Sequence, residues 1–393
     1  MSWRHLLAVL CAVAAGSASG AAQPGGRRVA LTGTVVVVNQ QSDSVTLVDL
    51  QRMEAYRHVK VVGGPHEAAA SPDGRTVVVT NYNRGGTPQK TLSLIALPSG
   101  DTIKTIDLGE YRAPHDVRWV DASRVVVTSE ANQALLVVNV TTGAVERVFR
   151  TEAGVSHMLA LSADRTRLYC SNMRDGSVSA FDFQSGKKIK DVRTGRECEG
   201  VGVTPDGRWV WAGNRAEDSI SIIDTRTLDV TKRITSPGFP YRVQFTPDGK
   251  LALIPHAQAS ALVVADVDRQ SIVKSIKLGL TKVADPSTAG VFPHPDNRHA
   301  FVTVRNDDSM LVLDLVTGCW TSDADLGLWC RTCNVLSMSA LIPVRNTSTG
   351  ADAASRRPAS YANVSASTTS SSPTISILFC PWAYSTTWMT MRP

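Results

Sequence analysis

Four residues of this chain have the types and the spacing for ligand or metal chemistry: His66, His115, His157 and Glu199. His66, His157 and Glu199 each stand seven residues before the aspartate of a tight turn, at Asp73, Asp164 and Asp206. His115 reaches the same station when Arg124 is aligned with Arg75. Two further copies put Tyr241 there, before Asp248, and Ala289, before Asp296. Neutral imidazoles and a carboxylate are the ligand set that suits Zn, Cu, Fe or Ni. Such a set can leave one coordination position open for a water that the metal activates. Glu67, Asp116 and Arg242 each lie one residue beyond the station and, with Tyr241, can orient these groups. The expected site is therefore His66, His115, His157 and Glu199, supported by Glu67, Asp116, Tyr241 and Arg242, with a transition metal as candidate cofactor. The plainer alternative is that the histidines only hydrogen-bond the neighbouring backbone, or are a habit copied by duplication.

The elements that must position them come from a repeat. A strand-like run ends at Asp49, Ala96, Asn139, Asp182, Asp224, Asp266 and Asp314, with gaps of 47, 43, 43, 42, 42 and 48 residues. A period this long marks a repeat architecture. One unit runs from Glu199: Gly200–Val203 as a short strand, a Thr204-Pro205-Asp206-Gly207 turn, and Arg208–Asn214 as a second strand. Ser219–Asp224 then alternates with a period of 2, and Asp229–Ile234 follows as a fourth strand. In the turn, proline presets φ and glycine accepts a positive φ. Ser71-Pro72-Asp73-Gly74 and Thr246-Pro247-Asp248-Gly249 repeat it, and Ser162–Arg165 and His294–Asn297 are weaker copies. One four-stranded meander cannot bury both faces, whereas a ring of them can. The expected fold is all-β: a seven-bladed β-propeller of four-stranded antiparallel blades. The station then begins each innermost strand, beside the central channel, and the four residues form one arc at its mouth. Arg84-Gly85-Gly86-Thr87-Pro88 reads as an enlarged hairpin loop, and the second-strand series Asn39, Asn81, Asn172 and Asn214 as turn caps.

Thr76–Asn81, Asp218–Asp224 and the Ser/Thr-Pro-Asp-Gly turns resemble the YVTN-type, YncE-like β-propeller repeat family over about Leu31 to Gly318. No GH…WD signature of WD40 repeats appears. The resemblance implies a propeller, and these repeats usually come without a defined reaction. It therefore favours a binding module for a protein or small ligand over an enzyme. Two other functions follow from similar propellers: a metal-dependent or lactonase-like enzyme using the arc, and a cytochrome d1-like haem-binding propeller. The sequence carries no nucleophile elbow, P-loop or dinucleotide fingerprint.

The remaining signals set compartment and boundaries. Residues 1–22 combine a basic start, a short apolar run at Leu6–Ala15 and small residues, the pattern of a secretory signal. A periplasmic or secreted protein is expected, with no membrane span after signal removal. Hydrophobic residues at 43% and charged residues at 19% suit a globular chain. The net charge of +6 is spread out, which argues against nucleic-acid binding. A monomer is expected. The propeller is assigned to 27–318 and an irregular tail to 319–393, where the repeat stops and no Lys occurs. The abrupt change reads as a low-complexity or frame-shifted segment. Because the chain enters the repeat at a second strand, Thr34–Asn39, closure needs a strand from beyond blade seven. The tail does not repeat the pattern, so an incomplete ring is expected unless Asn334–Ile342 serves as that strand. The tail's Cys330-x-x-Cys333 has no second ligand pair and carries no functional weight. Cys170 and Cys198 do not make a disulfide framework.

Overall fold

The computed structural model describes residues 31–52, 54–278, 287–304, 309–318, 320–322 and 337–342. Residues 1–22 and Cys330-x-x-Cys333 lie outside the described residues. The described strands form seven antiparallel sheets of four strands each, and the only helical pieces among the described residues are two 3-10 turns, Glu130–Asn132 and Arg215–Glu217. No helix among the described residues is long and apolar enough to cross a membrane.

Position in the blade explains the sequence of each strand. Second strands such as Thr34–Asn39 and Arg124–Ser129 are buried almost throughout and read as unbroken valine runs. Outer strands such as Glu54–Lys60 are mostly exposed and carry the charge. Between blades the gaps are filled by large side chains: Phe149 meets Phe181 and Phe183 at ring distances of 5.4 and 5.6 Å, and Trp211 meets Phe245 at 5.8 Å. The Pro-Asp-Gly turns close as expected. Ser71 Oγ donates to Asp73 Oδ1 at 2.6 Å, Thr76 N donates to Ser71 Oγ at 3.0 Å, and Gly74 takes φ +70°.

The ring is complete. Ser337–Ile342 pairs antiparallel with Thr34–Asn39, from Thr34 opposite Ile342 to Val38 opposite Ser337, and supplies the innermost strand of blade one. It also contacts the inner strands of blade seven, Thr288–Pro293, and blade two, Pro65–Ala70. Trp320–Ser322 adds the outer strand of blade seven. The expectation of an incomplete ring is thus corrected in favour of its alternative: backbone pairing to an open edge requires no repeat signature in the pairing segment.

Two smaller readings change. Arg84–Pro88 is not an enlarged loop: Arg84 pairs with Thr87 across a two-residue turn, with Gly85 and Gly86 at φ +57° and +86°. Both positive angles are what a tight hairpin requires. The asparagine series does not cap turns. Asn39, Asn81, Asn172 and Asn214 each donate Nδ2 to two third-strand hydroxyls, for Asn172 those of Ser177 at 3.1 Å and Ser179 at 2.8 Å.

Candidate functional site at the propeller axis

Backbone pairing places the predicted station where the repeat alignment put it. Pro65 pairs with Asn81, Pro114 with Ser129, Ser156 with Asn172, Cys198 with Asn214 and Pro240 with His256. His66, His115, His157, Glu199 and Tyr241 each follow the first member of such a pair. Immediately after it the register slips. His66 and Glu67 together oppose Thr80, His115 and Asp116 oppose Thr128, and His157 and Met158 oppose Ser171. Two residues facing one is a β-bulge, which re-aims side chains and leaves one amide without its ladder partner.

The opposing hydroxyl repairs that loss. Thr80 Oγ1 accepts from Glu67 N at 2.9 Å, Thr128 Oγ1 from Asp116 N at 2.8 Å and Ser171 Oγ from Met158 N at 3.0 Å. Each hydroxyl then donates to the arc residue of the next blade. Thr80 reaches His115 O at 2.9 Å, Thr128 reaches His157 O at 3.0 Å and Ser171 reaches Glu199 O at 2.7 Å. The arc is therefore fixed blade to blade through its backbone. Gly200 follows Glu199 because a Cβ there would come within 2.8 Å of the Arg242 backbone.

The side chains converge. His66, His115 and His157 follow one another with ring centroids 4.0 Å apart at both steps and planes tilted by 45° and 41°. His157 is gripped by two carboxylates: Nδ1 by Glu130 Oε1, and Nε2 by Glu199 Oε1 at 2.7 Å. Arg242 Nη1 donates to Glu199 Oε1 at 2.9 Å, and its Nη2 lies 3.3 Å from Glu67 Oε1. Glu67 Oε1 in turn lies 3.1 Å from His66 Nδ1. Arg215 Nη1 holds the other oxygen of Glu199 at 2.8 Å. The Arg242 guanidinium sits 4.9 Å over the Tyr241 ring. Tyr82 donates to Glu130 Oε2. His115 stands in the middle, fully buried, with Nδ1 3.9 Å from Glu67 Oε1 and Nε2 3.9 Å from Glu130 Oε1. Neither of its nitrogens has a hydrogen-bond partner among the described residues.

Charge follows the geometry. Burial drives His66 and His115 well below the ordinary imidazole range, helped by Arg242 and His157, so both rings are neutral at pH 7. Burial also opposes a charge on His157, yet Glu199 and Glu130 outweigh it and push the ring up to about 9. His157 is thus an imidazolium, donating from both nitrogens. Burial would raise Glu199, but His157, Arg215 and Arg242 hold it well below the usual carboxylate range.

A profile of the YNCE-like β-propeller family matches residues 29–290. The chain belongs to the YNCE-like β-propeller family.

The YNCE-like chain is 23% identical over 206 residues to the uncharacterized protein YncE of Salmonella typhimurium, covering 49% of this chain and 58% of that one. It is 34% identical over 68 residues to a dihydro-heme d1 dehydrogenase of Pseudomonas aeruginosa, 17% of this chain and only 14% of the relative. Among solved structures it resembles the Kuenenia stuttgartiensis hydrazine synthase, with a TM-score of 0.58 at 19% identity over 74% of this chain and 93% of that one. A functionally unknown protein from Desulfotomaculum acetoxidans gives 0.61 at 15% identity, over 72% and 93%. At these identities the structures establish the fold.

Within this YNCE-like propeller, His66, His115, His157 and Glu199 lie in one cluster; Glu67 and Arg242 contact them, and Tyr241 packs against Arg242. Asp116 does not contact the four. Its Oδ1 accepts from Val117 N at 2.7 Å and Arg118 Nη1 at 2.6 Å, and its Oδ2 from Leu159 N at 3.0 Å, tying blade three to blade four. Three residues of the cluster escaped the sequence reading: Tyr82, Glu130 and Arg215. Each directly follows the second-strand residue that pairs with the start of the inner strand, after Asn81, Ser129 and Asn214. That recurring position was the signal. His256 is structural, with Nε2 2.7 Å from Ser236 Oγ, and Cys170 and Cys198 are buried free thiols.

Proposed function

We propose that this YNCE-like propeller is an exported binding module that holds a small ligand at the axial cluster. The observation that carries this is His115, a wholly buried imidazole without a hydrogen-bond partner among the described residues, in a cluster built from five consecutive blades. Buried ion pairs contribute little net stability compared with apolar packing. Yet Glu67, Glu199, Arg242 and three histidines occupy the place where apolar side chains would fill the axis. The signal-like segment at residues 1–22 supports a periplasmic or secreted location.

Native mass spectrometry of the protein recovered from the exported fraction tests the reading. A bound mass is expected in the wild type and its loss in Arg242→Ala. A bare polypeptide mass, or retention of the chain in the cytoplasm with its first 22 residues intact, overturns it.

A second reading has one specific support. The segment similar to the dihydro-heme d1 dehydrogenase makes a haem-type ligand a distinct case. Axial ligation needs an imidazole facing open space, whereas the side chains of His66 and His115 are 0% exposed and that of His157 is 7% exposed. Binding of a compact ligand therefore ranks first. A Soret band on haem addition, abolished in His157→Ala, would reverse the order.

A further inference from the structure

We propose that His115, Glu130 and His157 form a binding site for one divalent transition-metal ion. The inference rests on the axial cluster being the ligand site, and it names the class of ligand.

Each of the three side chains offers one ligand atom, all within 4.8 Å of one another; Glu130 Oε1 meets His157 Nδ1 and lies 3.9 Å from His115 Nε2. Two imidazoles and a carboxylate are borderline-soft and hard donors in the mixture that Zn and its neighbours take, at about 2.0–2.2 Å from the ion. Three protein ligands leave a fourth position for water or a further ligand. An ion among these atoms would give His115 Nε2 the partner it lacks.

The distal atoms of the other two ligands are already held. Glu130 Oε2 accepts from Tyr82, and His157 Nε2 is bound by Glu199 at 2.7 Å. Glu199 is fixed in turn by Arg215 at 2.8 Å and Arg242 at 2.9 Å. A carboxylate on the far nitrogen of a ligating histidine fixes its orientation and raises its basicity. The ion would replace the proton on His157 Nδ1, which leaves to solvent. Glu130 is the natural entrance, since its side chain is 10% exposed while that of His115 is fully buried.

A second triad, His66, Glu67 and His115, also lies within reach. Arg242 decides against it. Its guanidinium stands 3.3 Å from Glu67 Oε1, where a dication would meet an adjacent buried positive charge.

The test uses the full chain stripped with a chelator and titrated with ZnCl2 by calorimetry, and with Co(II) followed by its visible d–d absorption. One equivalent is expected. His115→Ala and Glu130→Gln should each weaken binding by about 100-fold or more. Glu199→Gln should weaken it by about 10–100-fold, the range for a residue behind a ligand. His66→Ala should stay within about tenfold of wild type. Zinc should also raise the unfolding temperature of the wild type, a readout independent of how the variants fold. No zinc or cobalt uptake by the wild type overturns the proposal, as does equal or greater weakening by His66→Ala. If wild type takes no zinc but carries an organic mass that Arg242→Ala loses, the metal site falls and the binding-module reading stands.

Discussion

Nδ1 of His66 lies 3.1 Å from Oε1 of Glu67, although the two are consecutive residues of one strand. In a regular strand neighbouring side chains point to opposite faces. The bulge opposite Thr80 removes that alternation and lets both reach the channel. The slip recurs in Pro114–Trp119, Ser156–Leu161, Cys198–Val203 and Thr288–Pro293. Blade two therefore presents two consecutive residues to the axis where a flat strand would present one.

Glu199 is the keystone charge, bound by His157, Arg215 and Arg242. Glu199→Gln strands a buried imidazolium and a buried guanidinium. The expected loss is about 3–5 kcal/mol, the usual cost of removing one partner of a buried pair. Urea unfolding checks it through a lower midpoint at unchanged slope; a change under about 0.5 kcal/mol would show that Glu199 does not organise the cluster.

Thr128→Val keeps the shape of the side chain but removes its hydroxyl. Asp116 N and His157 O then lose partners now at 2.8 and 3.0 Å. A loss of about 1–3 kcal/mol per orphaned buried group is expected. The decisive measurement is the NMR signal of the His157 ring, which should shift in Thr128→Val and stay put in the surface control Thr102→Val.

Stability of the metal-free protein should fall on both sides of neutral pH. His157 is raised to about 9 in the folded state against 6.5, so its contribution is complete below pH 6.5 and lost as pH rises through 9. The span corresponds to about 3 kcal/mol at 1.36 kcal/mol per unit. His66 and His115 are lowered, so their contribution is present above pH 6.5 and lost as pH falls below it. Chemical unfolding between pH 5 and 10, with chelator present, should give a dome whose alkaline limb flattens in His157→Gln. A dome unchanged by that substitution would remove His157 as the cause.

Ending the chain after Leu336 deletes the strand that pairs with Thr34–Asn39. The truncated protein should unfold at lower temperature and self-associate with rising concentration, because an unpaired row of amides and carbonyls invites edge pairing. Light scattering and calorimetry read both effects. A monomer of unchanged thermal stability would mean that Ser337–Ile342 does not close the ring.

The period near 42 residues by itself determined the blades, and with them the shared station of His66, His115, His157 and Glu199. Position within a repeat maps directly onto position around an axis, so an arc in space is an alignment column in sequence. Tyr82, Glu130 and Arg215 occupy a column too, but its other members include Gln40 and Met173, and nothing in residue type marks it as facing the site. Asp116 shows the converse. Its place beside His115 suggested a role at the ring, yet in the fold its carboxylate turns to Arg118 and the Leu159 amide. Only the tertiary structure decided which side of the bulge each side chain takes, which carboxylates grip His157, and which segment closes blade one. Those outcomes depend on backbone register and on burial, where charges must pair to survive, and neither quantity is local in sequence.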